Sequence, residues 1–308
     1  MREHGMTDHD TAVRLEASSF LAEQQRIHGD ILNRDLLAKG FTYQGARVPL
    51  VAPQGIFKPR ILDLPLTITT VPPSESKVRP YDDEISPDGS MLYCYRDADP
   101  THRDNLGLHM CLKHQLPLIY LHGVVPSRYF PIFPVYVVGA DDANLRFSVM
   151  VDDQSAMSVD SKLLPNDADA RRRYVTSLTS QRLHQHSFRE CVVLAYEDRC
   201  SICRLHHREL LDAAHILPDS HDKGDPVVPN GLSLCKIHHA AYDGNLIGIR
   251  PDAVIEMRED ILDEEDGPML KYGIKAFHGK KIQLPRNDKL KPDVERLEER
   301  YELFRSSA

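Results

Sequence analysis

Two short spacings in the second half of the chain restrict its fold more than any bulk property does. Cys200-Ser-Ile-Cys203 and Cys235-Lys-Ile-His238 each hold two soft ligands three positions apart. Three thiolates and one imidazole in two such knuckles close tetrahedrally on Zn²⁺ and leave no open position, so the ion they imply is structural. A chain that must bring both knuckles together is committed to a compact path between them, because binding and folding are then one process. The remaining cysteines, Cys94, Cys111 and Cys191, do not continue the rhythm of a secreted disulfide scaffold. In a reducing compartment the pattern reads as metal binding.

The stretch between the knuckles carries residues suited to hydrolysis: Asp212-Ala-Ala-His215-Ile-Leu-Pro218, then Asn230-Gly, then His239 and Asp243. Cleaving a phosphodiester needs an activated water and a cation to stabilise charge on phosphate and leaving group. His215 follows a short apolar stretch, as at the end of a strand, and a neutral imidazole there takes a proton near physiological pH. Asn230 is expected to accept the other ring N–H of His215 and fix its tautomer. His239 and Asp243, four apart on the following helix, project from one face and can share a divalent cation.

In this order His215, Asn230 and His239, between zinc knuckles, resemble the HNH endonucleases of the ββα-metal fold, over residues 185–250. The resemblance implies a β-hairpin and helix around a single Mg²⁺ or Mn²⁺ ion. It also implies His215 as general base, Asn230 as the orienting residue and His239 with Asp243 as ligands. Relatives often place Asp or His immediately before the base, where this chain has Ala214; either Asp212, on the same strand face, substitutes for it, or His239 and Asp243 hold the ion with water and phosphate oxygens. Two alternatives remain beside a nuclease of the restriction type. One is an effector nuclease gated by a nucleotide or protein signal, and the other is a catalytically dead, zinc-stabilised DNA-binding module.

The 308 residues suffice for two domains of an α+β protein. Apolar periodicity predicts a helical segment over 1–39 with a break at Gly29, then a mixed β-rich domain over 40–155 punctuated by Pro and Gly. A polar linker over 156–168 and a nuclease domain with a closing helix over 169–308 complete the expected order. The longest apolar runs are broken by His122, Gly123, Pro131 and Pro134. None reaches the ~20 residues of a membrane span. With a polar N-terminus, the expectation is a cytoplasmic protein.

A small β-rich domain before an HNH domain is similar to modification-dependent restriction endonucleases, which couple an SRA-like (PUA-superfamily) reader of modified cytosine to an HNH cutter. That similarity implies double-stranded DNA as partner and a flipped base, held by an aromatic stack and an acceptor. Tyr81, Asp82, Tyr93, Tyr95 and Asp97 are the candidates for that pocket, with Lys58 and Arg79 toward phosphates. Arg171, Arg172, Arg173, Arg182 and Arg189 form a basic stripe within a net charge of −8. This balance argues against coating nucleic acid nonspecifically. One such site attacks one strand at a time, so a double-strand cut calls for a homodimer.

Overall fold

The computed structural model describes residues 8–70, 90–152, 167–265 and 267–307, with backbone only at 168–173 and 180. The expected linker at 156–168 lies largely outside the described residues. The chain divides into two compact units, Met1–Leu183 and His184–Ala308. The mixed α+β class is the one observed, and no described helix is long and apolar enough to cross a membrane.

The first unit opens with α1 (Asp8–His28), whose buried Val13, Ala17 and Leu21 recur every fourth residue. Gly29, at φ +82°, ends it, as a left-handed C′ glycine does. The periodicity of 11–39 therefore belongs to two helices: β1 (Leu32–Asn33) interrupts it before α2 (Arg34–Lys39). Gly40 then turns the chain at φ +59°, where an added Cβ would lie 1.9 Å from the Val48 carbonyl oxygen. A hairpin of β2 (Phe41–Tyr43) and β3 (Ala46–Val48) follows.

Next come β4 (Ile56–Phe57), β5 (Thr67–Thr69), β6 (Met91–Cys94), α3 (Arg103–His114), β7 (Leu118–Val125), β8 (Arg128–Asp141) and β9 (Arg146–Val151). Among the described residues they build a seven-stranded sheet in the order β4-β5-β7-β8-β9-β6, with β1 joined to β8. β5 and β7 run parallel, and the other pairings are antiparallel. Leu32, Leu37, Val48, Leu50, Ile119 and Leu121 pack with the buried face of α1. Arg14, only 3% exposed, ties that helix to the sheet by donating from Nη1 to the carbonyls of Pro65 and Pro117 at 2.9 and 2.8 Å.

β8 runs through Pro131 and Pro134, where the sequence predicts only a short strand at 135–138. A proline removes a ladder donor and is tolerated where one edge is unpaired. Here β1 pairs with β8 at 128–129 and β9 joins only at 135, so both prolines fall where that edge has no strand partner among the described residues.

The second unit receives the end of α4 (Ala168–Ala195), then β10 (Leu211–His215), β11 (Gly231–Cys235) and α5 (Lys236–Asp243). β10 and β11 pair antiparallel from Leu211↔Cys235 to His215↔Gly231. α4 lies so close to this hairpin that a Cβ on Gly231 would meet Val192 Cγ2 at 2.4 Å and Phe188 Cζ at 2.9 Å. The Asn230-Gly231 step is thus a packing requirement as well as a turn. A second hairpin, β12 (Ile247–Ile249) with β13 (Ile255–Met257), and α6 (Glu259–Asp263), α7 (Pro268–Gly273) and α8 (Val294–Ser306) close the unit. Val192, Val193, Leu211, Ala214, Leu232, Leu234 and Tyr242 are central to its core.

Candidate active site

The sulfurs of Cys200, Cys203 and Cys235 and a ring nitrogen of His238 lie within 4.8 Å of one another. Cys203 Sγ is 3.9 Å from Cys235 Sγ, and His238 Nδ1 is 3.5 Å from Cys200 Sγ and 3.2 Å from Cys235 Sγ. A tetrahedral zinc with ordinary Zn–S and Zn–N bonds has edges of about 3.8 and 3.6 Å, so the donor set fits that ion. His238 Nε2 lies 2.8 Å from the Gly273 carbonyl at the end of α7. Donation there places the proton on Nε2 and turns the Nδ1 lone pair to the thiolates, the usual outer-shell device. Ser201 N donates to the Ser233 carbonyl at 2.7 Å and joins the first knuckle to β11.

His215 ends β10 as the spacing suggests. Its ring stacks on Phe188 of α4 at 4.1 Å and 18°. Nε2 is buried, 2.9 Å from Asp219 Oδ1 but without the alignment of a hydrogen bond. Burial pushes the imidazole below its ordinary pKa; Asp219 opposes this, His239 adds to it and Asp243 opposes it, with a net downward shift. Neutral His215 therefore predominates at neutral pH.

Asn230 does not reach that ring. Fully buried, it accepts from Leu217 N at 3.0 Å and donates to the carbonyls of Leu217 and Asp225 at 2.9 and 3.1 Å. The expected contact to His215 is corrected to a backbone staple, because both amide groups are spent on the loop that follows the histidine. Ile216 N, donating to the Asn230 carbonyl at 2.9 Å, completes the staple.

Asp212, His239 and Asp243 come together across β10 and α5. His239 Nδ1 is 3.6 Å from Asp212 Oδ2, and its Nε2 is 3.2 Å from Asp243 Oδ2. The carboxylates suit Mg²⁺ or Mn²⁺, and the imidazole adds a ligand that favours transition ions. The two carboxylates flank opposite ring nitrogens, so an ion on either nitrogen meets one of them at once. Ala214, fully buried, has no ligand to offer and fills the core instead. Asp212 also carries two cations: Lys236 Nζ at 2.5 Å from Oδ2, and Arg189 Nε at 3.5 Å from Oδ1. Burial acts to raise its carboxyl, but the Lys236 hydrogen bond and the charges of Lys236, His239 and Arg189 outweigh this and hold it below the usual value.

The candidates for DNA reading fare differently. Tyr81, Asp82 and Arg79 lie outside the described residues. Tyr93 and Tyr95, two apart on β6 and its extension, are 8% and 2% exposed. Tyr93 meets Tyr120 edge-on at 6.3 Å. Tyr95 packs on Phe147 at 4.3 Å and donates to Asp142 Oδ1 at 2.5 Å. Period-two alternation turned both inward, so as stacking surfaces for a flipped base they are corrected to core. Asp97 is exposed at φ +54° beside Arg96. Exposed Lys58 donates to the Leu62 carbonyl at 2.9 Å.

Phe188, Asp219 and Lys236 join the site without a motif that announces them. Asp219 stands four after His215 and Lys236 three before His239, spacings that hint at proximity; the stack of Phe188 across 27 residues has no local signal.

Residues 200–250 match the family described as HNH endonuclease. Among solved structures, the modification-dependent TagI restriction endonuclease is similar at 16% identity, over 79% of this chain and 81% of that one, with a TM-score of 0.29. No curated protein matches the chain.

Proposed function

We propose that this protein, whose residues 200–250 form the HNH endonuclease domain of a metal-dependent nuclease, cuts double-stranded DNA carrying modified cytosine. The observation that carries the cutting is His215 at the end of β10, within reach of the charges of His239 and Asp243, with Asp212 and Asp243 at the two ring nitrogens of His239.

His215 acts as general base on the attacking water. The Asp219 carboxylate beside Nε2 favours the proton on that nitrogen, which leaves Nδ1 to accept one. Stacking on Phe188 fixes the plane of the ring, and the Asn230 staple fixes the loop behind it. Asp212 at Nδ1 of His239, or Asp243 at its Nε2, would hold the divalent cation together with that imidazole. Bound Mg²⁺ or Mn²⁺ supplies charge neutralisation at the scissile phosphate and at the leaving oxygen. The zinc cluster of Cys200, Cys203, Cys235 and His238 clamps the junction of β11 and α5, so His239 is presented from a fixed helix start.

Choice of substrate is assigned to the first unit as an SRA-like reader. Support comes from the order of parts, a β-rich unit with its own core ahead of the nuclease, since a cutter with no selecting device would damage its host. Two copies would cut both strands. Plasmids with and without methylcytosine or hydroxymethylcytosine, incubated with Mg²⁺ or Mn²⁺, test this. Cutting of the marked plasmid alone is expected. Equal cutting removes the reader, and cutting that survives His215→Ala removes the base.

A further inference from the structure

We infer that Lys236 occupies the cation's place on Asp212 until a divalent ion arrives, and is then released to the phosphate of the DNA. The inference rests on Asp212 and His239 forming the cation site proposed above.

Two positive side chains meet Asp212, and they differ in how they are held. Arg189 Nη2 donates to the carbonyls of Arg208 and Leu211 at 2.8 Å each, and Nη1 meets Glu190 Oε1 at 2.7 Å. Its approach to Oδ1 is therefore part of the framework. The Lys236 side chain is 57% exposed, and its ammonium is held, among the described residues, by Asp212 Oδ2 alone. That same oxygen lies 3.6 Å from His239 Nδ1, so an ion bridging Asp212 and His239 needs the atom that Lys236 occupies.

A compact ammonium and a divalent ion on one oxygen repel each other, and the flexible four-carbon stem of lysine moves at little cost. Lys236 is the first residue of α5, three before His239, and so shares its helix face. Once displaced it faces the same opening, where the anion available to it is the scissile phosphate or its neighbour, a partner that suits a point charge. DNA and metal then help each other: phosphate draws Lys236 from Asp212, the freed oxygen binds the ion more tightly, and linkage makes the effect reciprocal.

The test is Mn²⁺ binding to zinc-replete, full-length protein, followed by the electron paramagnetic resonance signal of free Mn²⁺, with cleavage at saturating Mn²⁺ measured beside it. Lys236→Met should tighten Mn²⁺ binding without DNA by roughly two- to fivefold, the scale of one exposed ion pair, while slowing cleavage at saturation. Lys236→Arg should restore the rate. Unchanged or weaker Mn²⁺ binding in a folded Lys236→Met protein overturns the inference. Asp212→Asn separates it from its premise. If that change leaves Mn²⁺ binding intact, the cation site itself is misplaced; if it weakens binding and Lys236→Met does not tighten it, only the role of Lys236 falls.

Discussion

The helix α5 carries two consecutive histidines, and each belongs to a different kind of site. His238 is buried among three sulfurs, with its second nitrogen against a backbone carbonyl. His239, a quarter exposed, has a carboxylate near each nitrogen and two cations close behind. The first set is soft, closed and satisfied by one ion; the second is hard and open toward solvent, with its negative charge already half neutralised by protein. In the proposed mechanism one histidine serves the fold and the other the reaction, and what separates them is the company of thiolate or carboxylate and the rotation of one helical residue.

The largest break in this comparison comes from the closed side. Cys235→Ser should abolish zinc retention and the cooperative melting of the second unit, because structural zinc contributes about 10–16 kcal/mol in small domains, as much as a whole domain's stability of about 5–15 kcal/mol. Metal content and thermal circular dichroism read it out; an intact transition without zinc would contradict the staple. On the open side, His215→Ala should lower the cleavage rate by about 10²- to 10⁴-fold, the usual range for a general base, with melting nearly unchanged.

Asn230→Ala sharpens the division between fold and reaction. As a staple of Leu217 and Asp225 it should destabilise the unit by about 1–3 kcal/mol, the cost of orphaned buried groups. Activity should then fall in parallel with stability in chemical denaturation. Full stability with lost activity would return Asn230 to the histidine ring.

The smallest effect is a displacement of the pH profile. Protonated His215 cannot accept a proton, so kcat/KM falls as pH drops through its pKa. Burial lowers that value, and the acid limb should sit below the ordinary imidazole value of about 6.5. Asp219 raises the pKa, so Asp219→Asn should move the limb lower still. A limb above the ordinary value would contradict the buried, neutral base.

What could be read from the sequence was whatever short spacing encodes. The clustering of Cys200, Cys203, Cys235 and His238, and the approach of His239 to Asp243, follow from separations of three and four residues. Asp212 could be placed beside them by strand parity alone. Asn230 was misjudged because its partners depend on the path of the loop between Pro218 and Val228, which no periodicity describes. Tyr93 and Tyr95 share one strand face, but only the packed sheet shows that this face points to Tyr120 and Phe147 rather than to a ligand. The prolines of β8 misled for a related reason: their tolerance depends on which neighbouring strand begins where.

The consecutive histidines also set how this segment can vary over evolution. An α-helix turns about 100° per residue, so one insertion or deletion between Cys235 and Asp243 would rotate His238, His239 or Asp243 out of its site whichever end stayed anchored. The eight positions of α5 are therefore locked in length, although exposed Ile237 can change in kind. Length variation among descendants of this chain should instead collect between Asp219 and Asp225, ahead of the carbonyl that Asn230 binds.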